Sequence, residues 1–249
     1  MIKFIFSLLF LIFIGCSNKN EKYITTTFKN NSNKNSASKK VEVNKNINQV
    51  ILVESFIDST EIGIKGQFKV SLEQFSNNDS TYVVIILREK IKSKWIQNQK
   101  LAHLKDGIIN CNVKIEDFNN DGYKDLTYQS AVAARGANEV RSLLIFNKNK
   151  KELNLIRNST DYPNLEYNEV LNCVDSWMVY GGTSTVFLKI KNDSLKEFAG
   201  VSLFGNEREI YSVSEKRKKK TIKKEIIESL DIYTRFKNYK PLIENTETR

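Results

Sequence analysis

The chain has 249 residues, 40% of them hydrophobic, with 39 Lys and Arg against 29 Asp and Glu and a single His. That length suffices for one or two domains with a sizeable core. The composition excludes a collagen, a coiled coil, a polytopic membrane protein and a wholly disordered chain. With His103 the only histidine, chemistry that needs a His pair or a His-rich metal site is excluded as well. The formal charge of +10 is unevenly spread: residues 16–47 hold seven Lys and two Glu, residues 206–249 twelve basic and eight acidic side chains, and residues 48–205 nineteen of each. The basic excess therefore belongs to the two ends. A nucleic-acid reader would carry it on a face of the folded body, so nucleic acid is not expected as a partner.

Residues 1–16 read MIKFIFSLLFLIFIGC. Lys3 is a short positive n-region, and the apolar run from Phe4 to Ile14, broken only by Ser7, is too short to span a bilayer, which takes about 20 apolar residues. It has the length of a signal-peptide core. Its end, Phe13-Ile14-Gly15-Cys16, resembles the lipobox of bacterial lipoproteins, with Phe13 where Leu is usual. The resemblance implies cleavage after residue 15, acylation (palmitate among the chains) at Cys16, and a lipid anchor in a bacterial membrane. The protein then lies in the cell envelope, on the periplasmic side or the outer surface. Residues 17–47, with eight Asn and seven Lys and no apolar period, are expected to be a disordered tether. Cys111 and Cys173 remain; in an oxidising compartment they can pair as a disulfide, or pack separately as small hydrophobes.

From residue 48 the apolar pattern is mostly of period two. Strands are expected in 50–57, 62–72, 82–87, 95–101, 108–115, 126–132, 140–146, 153–156, 170–174, 177–180, 185–190 and 198–204. The continuous run Tyr82 to Leu87 predicts a strand buried on both faces. Asp106-Gly107, Asn147 to Lys150, Gly181-Gly182 and Lys191 to Asp193 fall where turns belong. The expected fold is all-β, a compact propeller-like or sandwich-like antiparallel domain over 48–205. Residues 206–249 form a basic extension, helix or hairpin. Ile222, Ile226, Leu230 and Tyr233 have helical spacing, which predicts a helix over 221–236; a twisted hairpin with 209–214 is the alternative.

One motif is sharp. Residues 117–125 read Asp-Phe-Asn-Asn-Asp-Gly-Tyr-Lys-Asp, the opening of a calcium loop. Calcium takes six to eight oxygens at about 2.3–2.6 Å. Alternate positions of a tight loop aim short oxygen-bearing side chains at one point, and Gly122 lets the backbone turn back. The expected ligands are Asp117, Asn119, Asp121, Asp125 and the carbonyl of Tyr123. The twelfth place is Tyr128 and not Glu, and the flanks are strand-like, so the loop is not an EF-hand. Such an ion is expected to be structural.

The segment Asp117 to Leu126 resembles the calcium loop of FG-GAP and VCBS repeats, which build integrin-type propeller blades. With Gly136-Ala137-Asn138, Leu144 to Asn147 and Tyr162 to Leu165 after it, the order is similar to a family of periplasmic inhibitors of a Xanthomonas lysozyme-like type IV secretion effector. The resemblance spans roughly residues 100–205. It implies a compact propeller-like domain, calcium, and inhibitory binding of a peptidoglycan hydrolase; only the loop residues carry over.

No G-x-S-x-G, H-E-x-x-H, phosphate loop or Cys–His pair is present, and His103 reads as a strand-end residue, so no enzyme is expected. Trp177, Tyr180 and Arg135 are candidates for partner contact, and Asp175 marks a candidate rim beside them. The expected function is that of a calcium-stabilised protein-binding module, most concretely an inhibitor of a peptidoglycan hydrolase. The alternative is a structural or adhesion lipoprotein that holds a surface protein or a glycan.

Overall fold

The computed structural model describes residues 49–228 and 233–244. The leader, Cys16 and the tether lie outside the described residues. The architecture is all-β and sandwich-like, built from open antiparallel meanders. The first sheet holds β1 (Ile51–Asp58), β2 (Phe68–Ser76), β3 (Thr81–Ile91) and β4 (Lys94–Lys105) in chain order. The second holds β5 (Lys114–Glu116), β6 (Asp125–Ala133), β7 (Asn138–Asn147) and β8 (Glu152–Leu155). The third is six-stranded: β9 (Leu165–Asn168), β10 (Cys173–Val179), β11 (Thr183–Lys191), β12 (Ser194–Phe204), β13 (Glu207–Val213) and β14 (Lys219–Ile226). A two-stranded hairpin, β15 (Phe236–Tyr239) with β16 (Leu242–Glu244), follows. The third sheet thus continues past residue 205, through β13 and β14.

The period-two pattern explains how the sheets pack. Along β7, Leu144 and Phe146 enter one apolar cluster with Phe68, Leu72, Val83 and Ile85 of the first sheet. Leu143 and Ile145 enter another with Val174, Val186 and Leu188 of the third. The second sheet is therefore the middle layer, apolar on both faces. A third cluster, around Phe187, Val201 and Leu203, lies on the other face of the third sheet, and Phe236 of the C-terminal hairpin covers it. Gly63 must be bare: it sits at φ +59°, and a Cβ there would lie 2.7 Å from the Phe146 ring.

Side-chain amides join the layers by pairing with backbone. Gln99 of β4 donates to the Leu153 carbonyl (3.0 Å) and accepts from the Leu153 amide (2.8 Å). Asn158 does the same to Leu195 of the third sheet, at 3.0 and 2.8 Å. Each such side chain presents one donor and one acceptor in nearly peptide geometry, so it extends a neighbouring sheet edge by one step.

Two expectations, the helix and the doubly buried strand, are corrected, the first in favour of the hairpin alternative, and the cysteines take the second of their two expected forms. The predicted helix over 221–236 is replaced, where described, by β14, antiparallel to β13. Ile222 and Ile226 are four apart, which suits a strand face as well as a helix stripe, and both remain exposed. What selects the strand is cross-strand charge: Arg208 pairs with Glu225, Lys219 with Glu209 and Lys224 with Glu207. Cys111 and Cys173 are free thiols, buried in the first and third clusters, and burial pushes each up to about 12. The Tyr82 to Leu87 run is buried on one face only: Val83, Ile85 and Leu87 are covered, while Tyr82, Val84 and Ile86 are half-buried.

Candidate functional site: the 117–125 loop

Glu116 pairs with Asp125, so residues 117–124 are the loop of the β5–β6 hairpin. Phe118 and Tyr123 anchor it. Phe118 is buried in the cluster between the second and third sheets, and Tyr123 packs on the cluster between the first and second. Between them Asn119 is half-buried and Asp121 exposed, with Asp117 half-buried ahead of Phe118. Gly122, at φ +85°, makes the left-handed turn, as does Asn120 at +56°.

The loop's own amides occupy part of its oxygen set. Asp117 accepts from the amides of Asp121 (3.2 Å) and Gly122 (2.8 Å), Asn119 Oδ1 accepts from the Asp121 amide (3.2 Å), and Asp121 accepts from the Tyr123 amide (2.9 Å). Asp125 is fully buried. One of its oxygens accepts from the Phe118 amide and the other from the Phe146 amide, both at 2.8 Å. Burial pushes its carboxyl up to about 7, and the charges of Asp121 and Asp117 push the same way, against the two amide bonds.

The sequence-derived ligand set is therefore gathered in one loop. Every donor is an oxygen, the acids repel one another, and none has an ion-pair partner among the described residues. That chemistry fits a hard cation. No three or more His, Cys, Asp and Glu side chains among the described residues are arranged to hold a metal by themselves, so an ion here would also draw on Asn119 and the Tyr123 carbonyl. Each carboxylate oxygen has more than one acceptor position, which leaves room for an ion beside the amide bonds.

The loop is tied to the first sheet. Gly63 and Lys124 exchange backbone hydrogen bonds (2.8 and 3.3 Å). Residues 60–62 are held in turn by Asp58 at the end of β1, which accepts from the amides of Thr60, Glu61 and Ile62. Two short steps of hydrogen bonding thus link the loop to β1. Among the described residues that strand is an edge, and Ile51, Leu52 and Ile57, with Val50 just before it, are all more than half exposed.

The other sequence candidates lie elsewhere. Arg135 and Tyr180 are exposed and Trp177 is half-buried. The β6–β7 turn that carries Arg135 is fastened to β10 by Asn138, which bonds both backbone groups of Val179, and by Asn164, which donates to Ala137 and Trp177 carbonyls. Asp175 is no rim residue: it is buried, accepting from Asn168 (2.6 Å) and from Arg235. His103 is half-buried on β4, its Nδ1 3.2 Å from the Tyr128 hydroxyl. Sequence reading missed Arg141, which lies fully buried in β7. It donates to Thr127 Oγ1 (3.1 Å), to Glu139 (2.5 Å) and to the Asn112 carbonyl (2.6 Å).

Among the described residues no helix is long and apolar enough to cross a membrane. No family model and no curated protein matches the chain, so the FG-GAP resemblance rests on the loop's own residues. A solved structure described as a Xanthomonas type IV secretion system related protein is similar to it at 12% identity. The match covers 72% of this chain and 95% of that one, with a TM-score of 0.42.

Proposed function

We propose that the chain is a protein-binding module of the bacterial cell envelope, anchored through lipid at Cys16 and stabilised by calcium on Asp117, Asn119, Asp121, Asp125 and the Tyr123 carbonyl. It acts by binding, without catalysis of its own. The observation that carries this reading is β1. An edge strand offers a row of backbone donors and acceptors, and proteins ordinarily blunt such edges with charge or cover. Here the strand, although it carries Glu54 and Asp58, exposes Ile51, Leu52 and Ile57, with Val50 exposed just before it. Those are the features of a surface that takes an extended segment of another protein by strand addition. The partner class in this reading is a peptidoglycan hydrolase, from the resemblance carried by residues 117–165, and binding it would inhibit it.

Clearing of peptidoglycan by lysozyme-type hydrolases, followed by turbidity with increasing amounts of the chain, tests the reading. The expected result is slower clearing that is relieved by Ile51→Lys with Leu52→Lys, while the melting temperature is unchanged. If no hydrolase is slowed, the inhibitor reading fails. Slowing that survives both substitutions would remove β1 as the surface.

A further inference from the structure

A cleft of about 1050 Å³ opens on the third sheet, lined by no residue of the 117–125 loop or of β1. Five cations line it: Lys189, Lys191, Lys196, Arg217 and Lys219, all exposed. Three acids, Asp161, Glu197 and Glu215, and three aromatic rings, Tyr162, Phe198 and Tyr211, complete its chemistry. Some of these charges are occupied. Lys191 pairs with Glu215 (2.8 Å) and Lys219 with Glu209 (2.7 Å). Lys196 and Arg217 have no ion-pair partner among the described residues.

The wall is built and not incidental. Gly200 is bare because the Tyr211 ring lies where its Cβ would be, at 2.5–2.6 Å. The ring laid over that glycine reaches Glu197, to which its hydroxyl donates at 2.8 Å. Glu197 is thereby fixed as an acceptor facing the cleft. Tyr162 is half-buried, and Glu197, Asp161 and Arg217 lie close enough for their charges to act on its hydroxyl. One half-exposed ring therefore stands among two carboxylates and an uncommitted guanidinium.

We propose that this cleft binds an acidic oligosaccharide, with Lys196 and Arg217 on its carboxylates, Glu197 and Asp161 accepting its hydroxyls, and a sugar face on Tyr162. The volume is at the upper end of small-molecule sites, which suits several sugars better than one. Cations over acids favour an anionic ligand. Fixed acceptors favour a polyhydroxylated ligand over a nucleic acid or an acidic peptide, which bring few hydroxyls to donate to Asp161 and Glu197. A flat ring gives an apolar sugar face its counterpart.

The test is calorimetric titration of the full chain with an oligogalacturonate, with a neutral chitooligosaccharide, a single-stranded oligonucleotide and poly-glutamate as comparisons. The expected result is saturable binding of the oligogalacturonate, at least tenfold tighter than any of the others. Lys196→Ala with Arg217→Ala weakens it at least tenfold, two charge-assisted hydrogen bonds being lost. Tyr162→Ala weakens it independently and at high salt, where stacking persists and charge is screened. Three outcomes overturn the proposal: no binding, equal binding of oligonucleotide or poly-glutamate, and undiminished binding by the double variant with its melting curve intact. Should Tyr162→Ala unfold the protein, Tyr162→Phe serves: it keeps the ring and retains most of the affinity, and a complete loss would contradict a stacking role.

Discussion

Two buried aspartates in this molecule meet the same problem with opposite solutions. Asp175, in the third sheet, receives its cation from the chain: Arg235 donates to it through Nε (3.0 Å) and Nη2, and Asn168 serves its other oxygen. Asp125, at the start of β6, receives two backbone amides and two acidic neighbours, and burial pushes it up to about 7. A buried carboxylate needs compensation wherever it lies. The first is compensated within the fold, so it fastens a segment. The second is left short of positive charge, so it is suited to an ion from solution. Burial and residue type are shared, and only the neighbours differ.

The largest effect should follow from breaking the internal pair. Arg235 leads directly into β15, pairs with Asp175 and Glu166, and also donates to the Asn164 carbonyl (2.9 Å). Arg235→Met leaves Asp175 buried without its cation and should lower unfolding stability by about 3 kcal/mol, read as a shifted urea midpoint. Adding Asp175→Leu should recover part of that loss, because the orphaned charge goes too. If the double variant is as unstable as the sum of the singles, the pair is not what holds the segment.

At the other aspartate the comparison is sharpened by two substitutions of unequal size. Asp125→Ala leaves the Phe118 and Phe146 amides buried and unpaired, which should cost about 2 kcal/mol in chelator, and more in calcium because a ligand is lost as well. Asp121→Ala should hardly change the metal-free melting temperature, since Asp121 is exposed. It should abolish the calcium increment instead. For an extracellular module with Kd near 10⁻⁴–10⁻³ M, millimolar calcium adds about 1 kcal/mol, or about 2–4 °C at this size. Identical melting curves in calcium and in chelator for the parent chain would end the calcium assignment.

How much of this was legible beforehand depends on which neighbours matter. Most strands of the first two sheets, the turns at Asn147 and Asn192, and the 117–125 loop could be read because their cause is local: side-chain alternation and turn chemistry; the strands expected over 62–72 and 108–115 form only from Phe68 and from Lys114. The roles of Asp175, Arg141 and the layer-joining amides could not, since their partners are distant in sequence. Asn158 and Asn164 read as ordinary loop residues until β12 and β10 are brought beside them. The helix expected near Ile222 failed for the same reason, as the charges that pair β14 with β13 look alike in a helix and in a strand. Cys111 and Cys173 show the converse: two thiols left a bond and separate packing both open, and the sheets place them in different clusters.

The smallest effect tests whether desolvation alone, without a charged neighbour, also leaves a mark. His103 has neither an Arg235 nor an Asp121 beside it; burial is what holds its imidazole below the ordinary 6.5, and its Nδ1 meets the neutral Tyr128 hydroxyl. The folded protein then binds a proton less readily than the unfolded chain. Its contribution is complete above about pH 6.5 and is lost as the pH falls from there through the lowered folded value, because protonation draws the unfolded state down first. Since His103 is the only histidine, the comparison is clean. The stability of the parent should drop more steeply below pH 6.5 than that of His103→Gln, with the two slopes converging above it, in urea unfolding at stepped pH and in chelator so that calcium does not contribute; Asp125 titrates alike in both proteins and cancels from the difference. Parallel slopes throughout would show that the His103 ring is solvated in both states and that burial leaves no mark on its titration.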